Sequence, residues 1–356
     1  MNRILETDDT KYILLSKIGN GGTCHVYQGY SIKDKDKDKD TSHKLYAIKI
    51  IKKQYKKYYE KEISINNILP QKQKYFLSLY DYGIGYIYKE AKDQPNNNQP
   101  LDNCPPIKKT KIFYKIEELC ENGELFDYIY KLKKGFTEEL SAKIFCKILN
   151  AIKILHKNNI VHCDIKPENI LLGNDFEPKL IDFGFSKFIN SDNNNNNNIN
   201  DNNNIDNVVY GNEGSQMYSA PEIRRYYISG YDGIKSDIFS LGVLLFVITV
   251  GRFPFSSCDY SDKKYRFIMD KKYEQYWANF AEYNLSKEFK DLINHLICYE
   301  PKERFSIDEI LNHPWITTIY ENKNKKKEKN IFIDDKDEDV LNELKKRRDY
   351  IMKKGN

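Results

Sequence analysis

Val161-His162-Cys163-Asp164-Ile165-Lys166-Pro167-Glu168-Asn169, followed after Ile170-Leu171-Leu172 by Lys179-Leu180-Ile181-Asp182-Phe183-Gly184, is the stretch on which the fold turns. Two aspartates and an asparagine sit between apolar, strand-like runs. Hard oxygens of this kind suit a magnesium ion, and a carboxylate among them can orient a hydroxyl and accept its proton. Toward the C-terminus come Ser219-Ala220-Pro221-Glu222 and Asp237-Ile238-Phe239-Ser240-Leu241-Gly242. Toward the N-terminus, Tyr46-Ala47-Ile48-Lys49 reads as a strand bearing an apolar-flanked cation able to hold phosphates. Such a lysine needs a carboxylate to orient it. Glu62, in the helical segment Glu62-Ile63-Ser64-Ile65, is the candidate, with Glu60 as competitor. Further upstream, Ile18-Gly19-Asn20-Gly21-Gly22-Thr23-Cys24-His25-Val26 joins two expected strands. A glycine-rich hairpin lets backbone N–H groups approach phosphate oxygens. No helix follows it directly, which disfavours a dinucleotide fold.

The spacing of apolar residues changes midway along the chain. Residues 12–18, 25–30, 45–51, 84–89 and 111–117 are short and rich in Ile, Val and Tyr, and read as strands of an antiparallel sheet. A helical pattern from Gln54 to Leu69 interrupts them. From Glu124 onward, 124–133, 138–158, 236–250, 286–297 and 306–312 have helical spacing. The expectation is a small β-rich half, a larger α-rich half and a cleft between. Three stretches read as insertions with little to pack: 33–43 with its Lys-Asp alternation, 91–110 with Asn96-Asn97-Asn98 and four prolines, and the Asn-rich 190–207.

Composition narrows the function classes. The chain has 356 residues, 40% of them hydrophobic and 31% charged, with a net charge of +5. That length suits two lobes with tails better than one core. The charge is too slight to imply nucleic acid and is compatible with an acidic ligand such as a nucleotide. Seven cysteines, an odd number without a Cys-x-x-Cys pair, argue against a zinc site or disulfide framework and for a reducing compartment. The first residues, Met1-Asn2-Arg3-Ile4-Leu5-Glu6, lack an apolar signal core. The most apolar run, Ile238 to Val250, is too short to span a bilayer and reads as a buried helix. A cytoplasmic protein is expected, with nuclear access left open.

In this order the motifs resemble the eukaryotic protein kinase family, from about Tyr12 to His313-Pro314-Trp315. The resemblance implies an α+β, bilobal fold: a small antiparallel N-lobe with one main helix and a larger, mostly helical C-lobe. The boundaries it implies are an extension at 1–11, the N-lobe at 12–118, the C-lobe at 119–320 and a charged tail at 321–356. It implies ATP and magnesium as cofactors and protein as substrate. By the same resemblance Ile18, Gly19, Gly21 and Val26 cover the nucleotide, Ala47 contacts adenine, and Leu171 belongs to the nucleotide site. Lys49 holds phosphates and pairs with Glu62, Glu118 and Cys120 fall in the hinge, and Glu124 meets the ribose. Asp164 orients the attacking hydroxyl, Lys166 neutralises the transferring phosphoryl group, and Asn169 and Asp182 ligate magnesium. Glu222 is expected to pair with Arg304, and Asp237 to brace the loop carrying Asp164. Lys166-Pro167-Glu168-Asn169 and Ser215 imply serine/threonine specificity, and Glu118-Leu119-Cys120-Glu121-Asn122-Gly123-Glu124 with His-Pro-Trp resembles the calcium/calmodulin-dependent group.

The chain departs from that family at several positions. Cys24 replaces the third glycine of the loop, and Cys163 replaces the arginine that usually precedes the catalytic aspartate. In most relatives that arginine binds a phosphate on the activation segment. The phosphoacceptor position falls here near Gly211, which has no hydroxyl, so activity is expected not to depend on that phosphorylation. Glu117 occupies the gatekeeper position, unless a one-residue slip puts Ile116 there, and a buried carboxylate needs a partner. Asn66 stands where the regulatory hydrophobic stack takes Leu or Met. These departures keep a second reading open, a pseudokinase serving as a nucleotide-binding scaffold. Glu124 and Glu168 match acidic positions that meet an upstream basic residue of a substrate. In the tail, Val340, Leu341, Leu344, Tyr350 and Ile351 could form an apolar stripe. A solvated extension is the favoured reading there, and an autoinhibitory or calmodulin-binding helix the alternative. Neither nucleic acid nor a membrane span is expected as a partner.

Overall fold

A computed structural model describes residues 3–33, 43–70, 74–89, 108–189, 207–321 and 338–354. Apart from their ends, the three insertions lie outside these residues. The chain forms two compact units, one of Met1–Gln73 with Leu77–Cys120 and one of Lys74–Phe76 with Glu121–Asn356.

The first unit contains β1 (Arg3–Glu6), β2 (Lys11–Asn20), β3 (Cys24–Ser31), β4 (Tyr46–Ile51), α1 (Lys56–Ile68), β5 (Leu79–Lys89) and β6 (Thr110–Glu118). All strand pairs are antiparallel, in the order β1-β2-β3-β4-β6-β5, and β1 also pairs with β5, so the sheet closes into a barrel. Five strands of an antiparallel sheet were expected. The sixth comes from residues 1–11, set apart above as an extension. Ile4 and Leu5 are buried there, and Leu5 joins the barrel core with Tyr12, Leu14, Tyr27, Ile48, Ile50, Ile112, Tyr114 and Ile116.

Alternation along the strands divides their residues between two faces. In β4, Ile48 and Ile50 point into the barrel, which leaves Ala47, Lys49 and Ile51 on the outer face. In β6 the same rule puts Phe113, Lys115 and Glu117 outside. Helix α1 covers part of that outer face: its Tyr59 and Ile63 pack with Cys24, Ile51, Val26 and Phe113. Registers do the rest. Gly19 lies opposite Val26, Val26 opposite Lys49, and Lys49 opposite Lys115, which makes one cross-strand row. Ala47 lies opposite Glu117 in the next row.

The second unit is mostly helical: α2 (Leu125–Tyr130), α3 (Glu138–Lys157), α4 (Pro221–Tyr226), α5 (Gly233–Val250), α6 (Lys263–Met269), α7 (Tyr273–Ala278), α8 (Lys287–Leu296), α9 (Ile307–Leu311), α10 (Pro314–Glu321) and α11 (Glu338–Lys354). Three two-stranded sheets accompany them: β7 (Ile160–Val161) with β10 (Lys187–Phe188), β8 (Ile170–Leu172) with β9 (Pro178–Leu180), and β11 (Val208–Val209) with β12 (Tyr231–Asp232). Side-chain caps start the main helices, with Thr137 accepting from Leu140 N, Asp232 from Lys235 N and Ser286 from Phe289 N. Helix α5 is apolar and long enough to cross a membrane by length and composition, yet 89% of it is buried inside the protein. Residues Lys74–Phe76 precede β5 in sequence but belong to this unit, where Leu180 N donates to Tyr75 O at 2.9 Å.

The described part of the tail, 338–354, is a packed helix rather than a free solvated extension. Leu344 and Ile351 are buried, whereas Tyr350, assigned to the same stripe, is exposed. Between the two buried aliphatics lies Arg347, only 8% exposed. Its guanidinium donates to the carbonyls of Tyr128 (3.2 Å), Lys134 (3.1 Å) and Gly135 (2.8 Å), and to Glu343 of its own helix. It also lies over the Phe136 ring at 4.3 Å. Every N–H of the fork is thus used, which is what lets an arginine be buried. The side chain of Val340, like the runs at 323–329 and most of 334–339, lies outside the described residues.

Candidate active site

In the first unit, Lys49 reaches across from β4 to α1, with Nζ 2.7 Å from Glu62 Oε1 and 3.0 Å from Oε2. Glu62 is buried, whereas its competitor Glu60 pairs at the surface with Lys56. A second lysine, Lys115 of β6, donates to Glu62 Oε2 at 3.0 Å and pairs with Glu117 Oε1 at 2.6 Å. The result is an alternating chain Lys49–Glu62–Lys115–Glu117. Burial opposes ionisation of Glu62, but Lys115, and after it Lys49, draw the carboxyl down to about 2. Burial also works against the charge on Lys115, and Glu117 and Glu62 outweigh it, so that its pKa is raised. Ile116, the alternative gatekeeper, is fully buried in the barrel core, which leaves Glu117 on the face shared with Ala47 and Lys49.

Other residues assigned to the nucleotide stand on the same unit. Gly19 and Gly21 flank the β2–β3 turn, where Gly21 N donates to Cys24 O at 3.1 Å, and Ile18 is half-exposed. Glu118 ends β6, and its carboxylate accepts from Ser78 N and Oγ at 3.2 and 3.3 Å. Cys120 is the last residue of this unit.

The second unit places its polar groups by irregular backbone. After β7 the chain turns through Cys163 at φ 63°, and Asp182 follows β9 at φ 64°, both left-handed. Asp237 of α5 holds the first turn, accepting from His162 N at 2.8 Å and Cys163 N at 3.0 Å. Asp164 is then met from three sides. Lys166 Nζ donates to its Oδ2 at 2.7 Å, Asn169 Nδ2 to the same oxygen at 2.9 Å, and Ser215 N to Oδ1 at 2.8 Å. Lys166 Nζ also donates to Ser215 Oγ at 2.7 Å. Gly214, at φ 108°, is required for this approach, because a Cβ there would collide with the Cys163 carbonyl. Burial raises the cost of charge on Asp164, yet the hydrogen bond and charge of Lys166 and the bond from Ser215 hold its carboxyl below the usual value.

The β8–β9 pairing, Ile170 opposite Leu180, brings the two candidate metal ligands together, and Ile181 N donates to Asn169 O at 3.0 Å. Asn169 spends its amide nitrogen on Asp164, so its amide oxygen is the atom left to act as a ligand. Among the described residues no group of three or more His, Cys, Asp and Glu side chains could hold a metal alone. Asp182 and Asn169 supply hard oxygens, and phosphate oxygens would have to complete the shell, which is the usual arrangement for magnesium. Leu171 and Glu124 are joined by an isolated bridge. Glu124 has its pKa raised by burial and by the charges of Asp127 and Glu168. One Glu168 oxygen is buried without a hydrogen-bond partner.

The expected supporting pair is present: Arg304 grips Glu222 at 2.5 and 2.8 Å. A contact missed in the sequence is that of Lys187 on β10, which donates to Tyr210 O and pairs with Glu213 at 2.7 Å. Gly211, at φ 91°, lies beside it, and a Cβ there would strike Glu213 and Lys187. Lys115 was missed as well. A lysine within a strand looks like a surface residue, but its position two residues before a carboxylate expected to be buried was a usable signal.

A fold and a set of polar groups of this kind define a protein kinase domain, and that family matches residues 12–316. The chain belongs to the protein kinase family. Among its relatives is the human SNF-related serine/threonine-protein kinase, 39% identical over 215 residues, which are 59% of this chain and 25% of that protein. Another is the serine/threonine-protein kinase kin-29 of Caenorhabditis briggsae, 36% identical over 206 residues, 58% of this chain and 22% of that protein. The match thus spans about a quarter of the length of these relatives. Relatives of the SNF-related kind are consistent with the resemblance to the calcium/calmodulin-dependent group.

Proposed function

We propose that this chain is a protein serine/threonine kinase that uses ATP and magnesium to phosphorylate hydroxyls of other proteins. The observation that carries the reading is the convergence of Lys166, Asn169 and Ser215 on Asp164. Asp164 accepts the proton of the substrate hydroxyl, whose oxygen bonds to the γ-phosphorus as the bond from that phosphorus to the β–γ bridging oxygen breaks. ADP leaves. Lys166 neutralises charge on the group in transfer, and Lys49, held by Glu62, anchors the remaining phosphates. Asp182 and Asn169 would hold magnesium, which supplies further neutralisation of the phosphate oxygens when bound.

Autophosphorylation with labelled ATP, comparing wild type with Asp164→Ala and Asp182→Asn, tests this reading. Equal incorporation in all three would refute it. The scaffold alternative loses one of its supports, since Glu117 has Lys115 as a counter-charge.

Three finer assignments belong to the same proposal. Activity does not require phosphorylation of the activation segment, because Lys187 and Glu213 already make an ion pair beside Gly211. Phosphatase treatment should leave the rate unchanged. Glu124 and the unpartnered oxygen of Glu168 favour an arginine upstream of the phosphoacceptor. A peptide array indifferent to arginine three residues upstream would remove that preference. The cytoplasm is the compartment this reading assigns, and a fluorescent fusion would locate the protein. The inward face of α11 is occupied by the second unit, so truncation after Tyr320, assayed with and without calcium–calmodulin, decides whether the tail regulates the rate.

A further inference from the structure

Glu117 alone would explain one buried cation. A carboxylate only 12% exposed needs a counter-charge, and Lys115 supplies it at 2.6 Å. It does not explain why the same ammonium also lies 3.0 Å from Glu62 Oε2, the oxygen that Lys49 reaches at 3.0 Å. Glu62 rides on α1, Lys49 on β4 and Lys115 on β6, so the helix is tied to two neighbouring strands through one carboxylate. The four groups carry two positive and two negative charges, and each inner member touches a neighbour on both sides. Near its C-terminal end α1 presents the half-buried Asn66 rather than an apolar side chain, which leaves less apolar contact to fix its position.

We propose that Lys115 is a positioning residue for the phosphate-holding pair: it fixes the Glu62 carboxylate, and through it the aim of Lys49. This rests on the nucleotide reading given above. The groups facing Glu62 from the sheet are Lys49 on β4 and Lys115 on β6, with Glu117 behind Lys115. Removal of Lys115 leaves Glu62 with one cation instead of two, so its ionisation moves up from about 2 toward the measurable acid range.

The test uses Lys115→Met, Lys115→Arg and the double variant Lys115→Met/Glu117→Leu, which keeps the buried charge balanced. Affinity for magnesium–ATP is read by calorimetry, kcat and KM for ATP by initial rates, and folding by thermal unfolding. Lys115→Met should weaken ATP about tenfold, lower kcat less, and bring an acid limb into the profile of kcat/KM. Lys115→Arg should stay within about twofold of wild type. The double variant should melt like wild type and still bind ATP weakly. Recovery of ATP affinity together with the melting temperature would show that Lys115 only balances Glu117, and would overturn the proposal. Unchanged affinity and pH profile in Lys115→Met would do the same. A wild-type protein without saturable ATP binding overturns the nucleotide reading as well, which separates the two failures.

Discussion

The two units solve one problem, holding a lysine against a carboxylate, by different means. In the first unit, Lys49 and Lys115 lie opposite each other in the register of β4 and β6, and Glu62 drops onto them from a helix. Regular secondary structure does the aiming. In the second, Lys166 and Asp164 are two residues apart on a loop that passes through left-handed Cys163, and the loop keeps its shape because Asp237 accepts two of its N–H groups. A site built on register should suffer mainly from changed charge. One built on irregular backbone should suffer from loss of its brace, even where the brace touches no substrate.

The largest effect should come from the second unit. Asp164→Ala should lower kcat about a thousandfold while the protein stays folded, as measured by single-turnover phosphoryl transfer and circular dichroism. Asp237→Ala should cost about 3 kcal/mol of stability in denaturant unfolding and also reduce kcat, since it orphans buried N–H donors of the loop. A stable Asp237→Ala protein of normal activity would break the comparison.

The first unit should answer to pH. The Glu62 carboxyl is lowered to about 2 from 4.5, a depressed group. Its contribution, about 3 kcal/mol, is present above the unfolded value and lost as pH falls from there through the folded one. Stability measured by denaturant between pH 6 and 2 should therefore fall with acid in wild type, and fall less steeply in Glu62→Gln. The smallest effect is expected at the activation segment. Lys187 pairs with a half-exposed Glu213, so Lys187→Ala should shift stability by less than about 1 kcal/mol and kcat by only about threefold.

Much of this molecule was legible in its sequence, and for stated reasons. Strands β2, β3, β4, β5 and β6 and helices α1, α2, α3, α5, α8 and α9 follow from periodicity, and the residues around Asp164 from motif order. Strand β1, Lys115, Arg347 and Lys187 escaped for a common physical cause: each is a charged residue or short segment whose placement depends on a distant partner. Strand β1 offers only Ile4 and Leu5 as apolar residues, and its pairing with β5 is invisible locally. Lys115 and Arg347 are residue types usually found at the surface, buried here because carboxylates or carbonyls elsewhere in the fold receive them. Lys187 finds Glu213 across an Asn-rich stretch that periodicity cannot bridge.

Strand β1 carries a practical consequence. Four residues satisfy the ladder on both sides of a six-stranded ring, against β2 along one flank and β5 along the other. Deleting residues 1–6 would strip hydrogen-bonding partners from both of those strands at once. Two raw sheet edges would then be free to recruit other chains, so a chain shortened in this way should aggregate while the 356-residue chain stays monodisperse in light scattering.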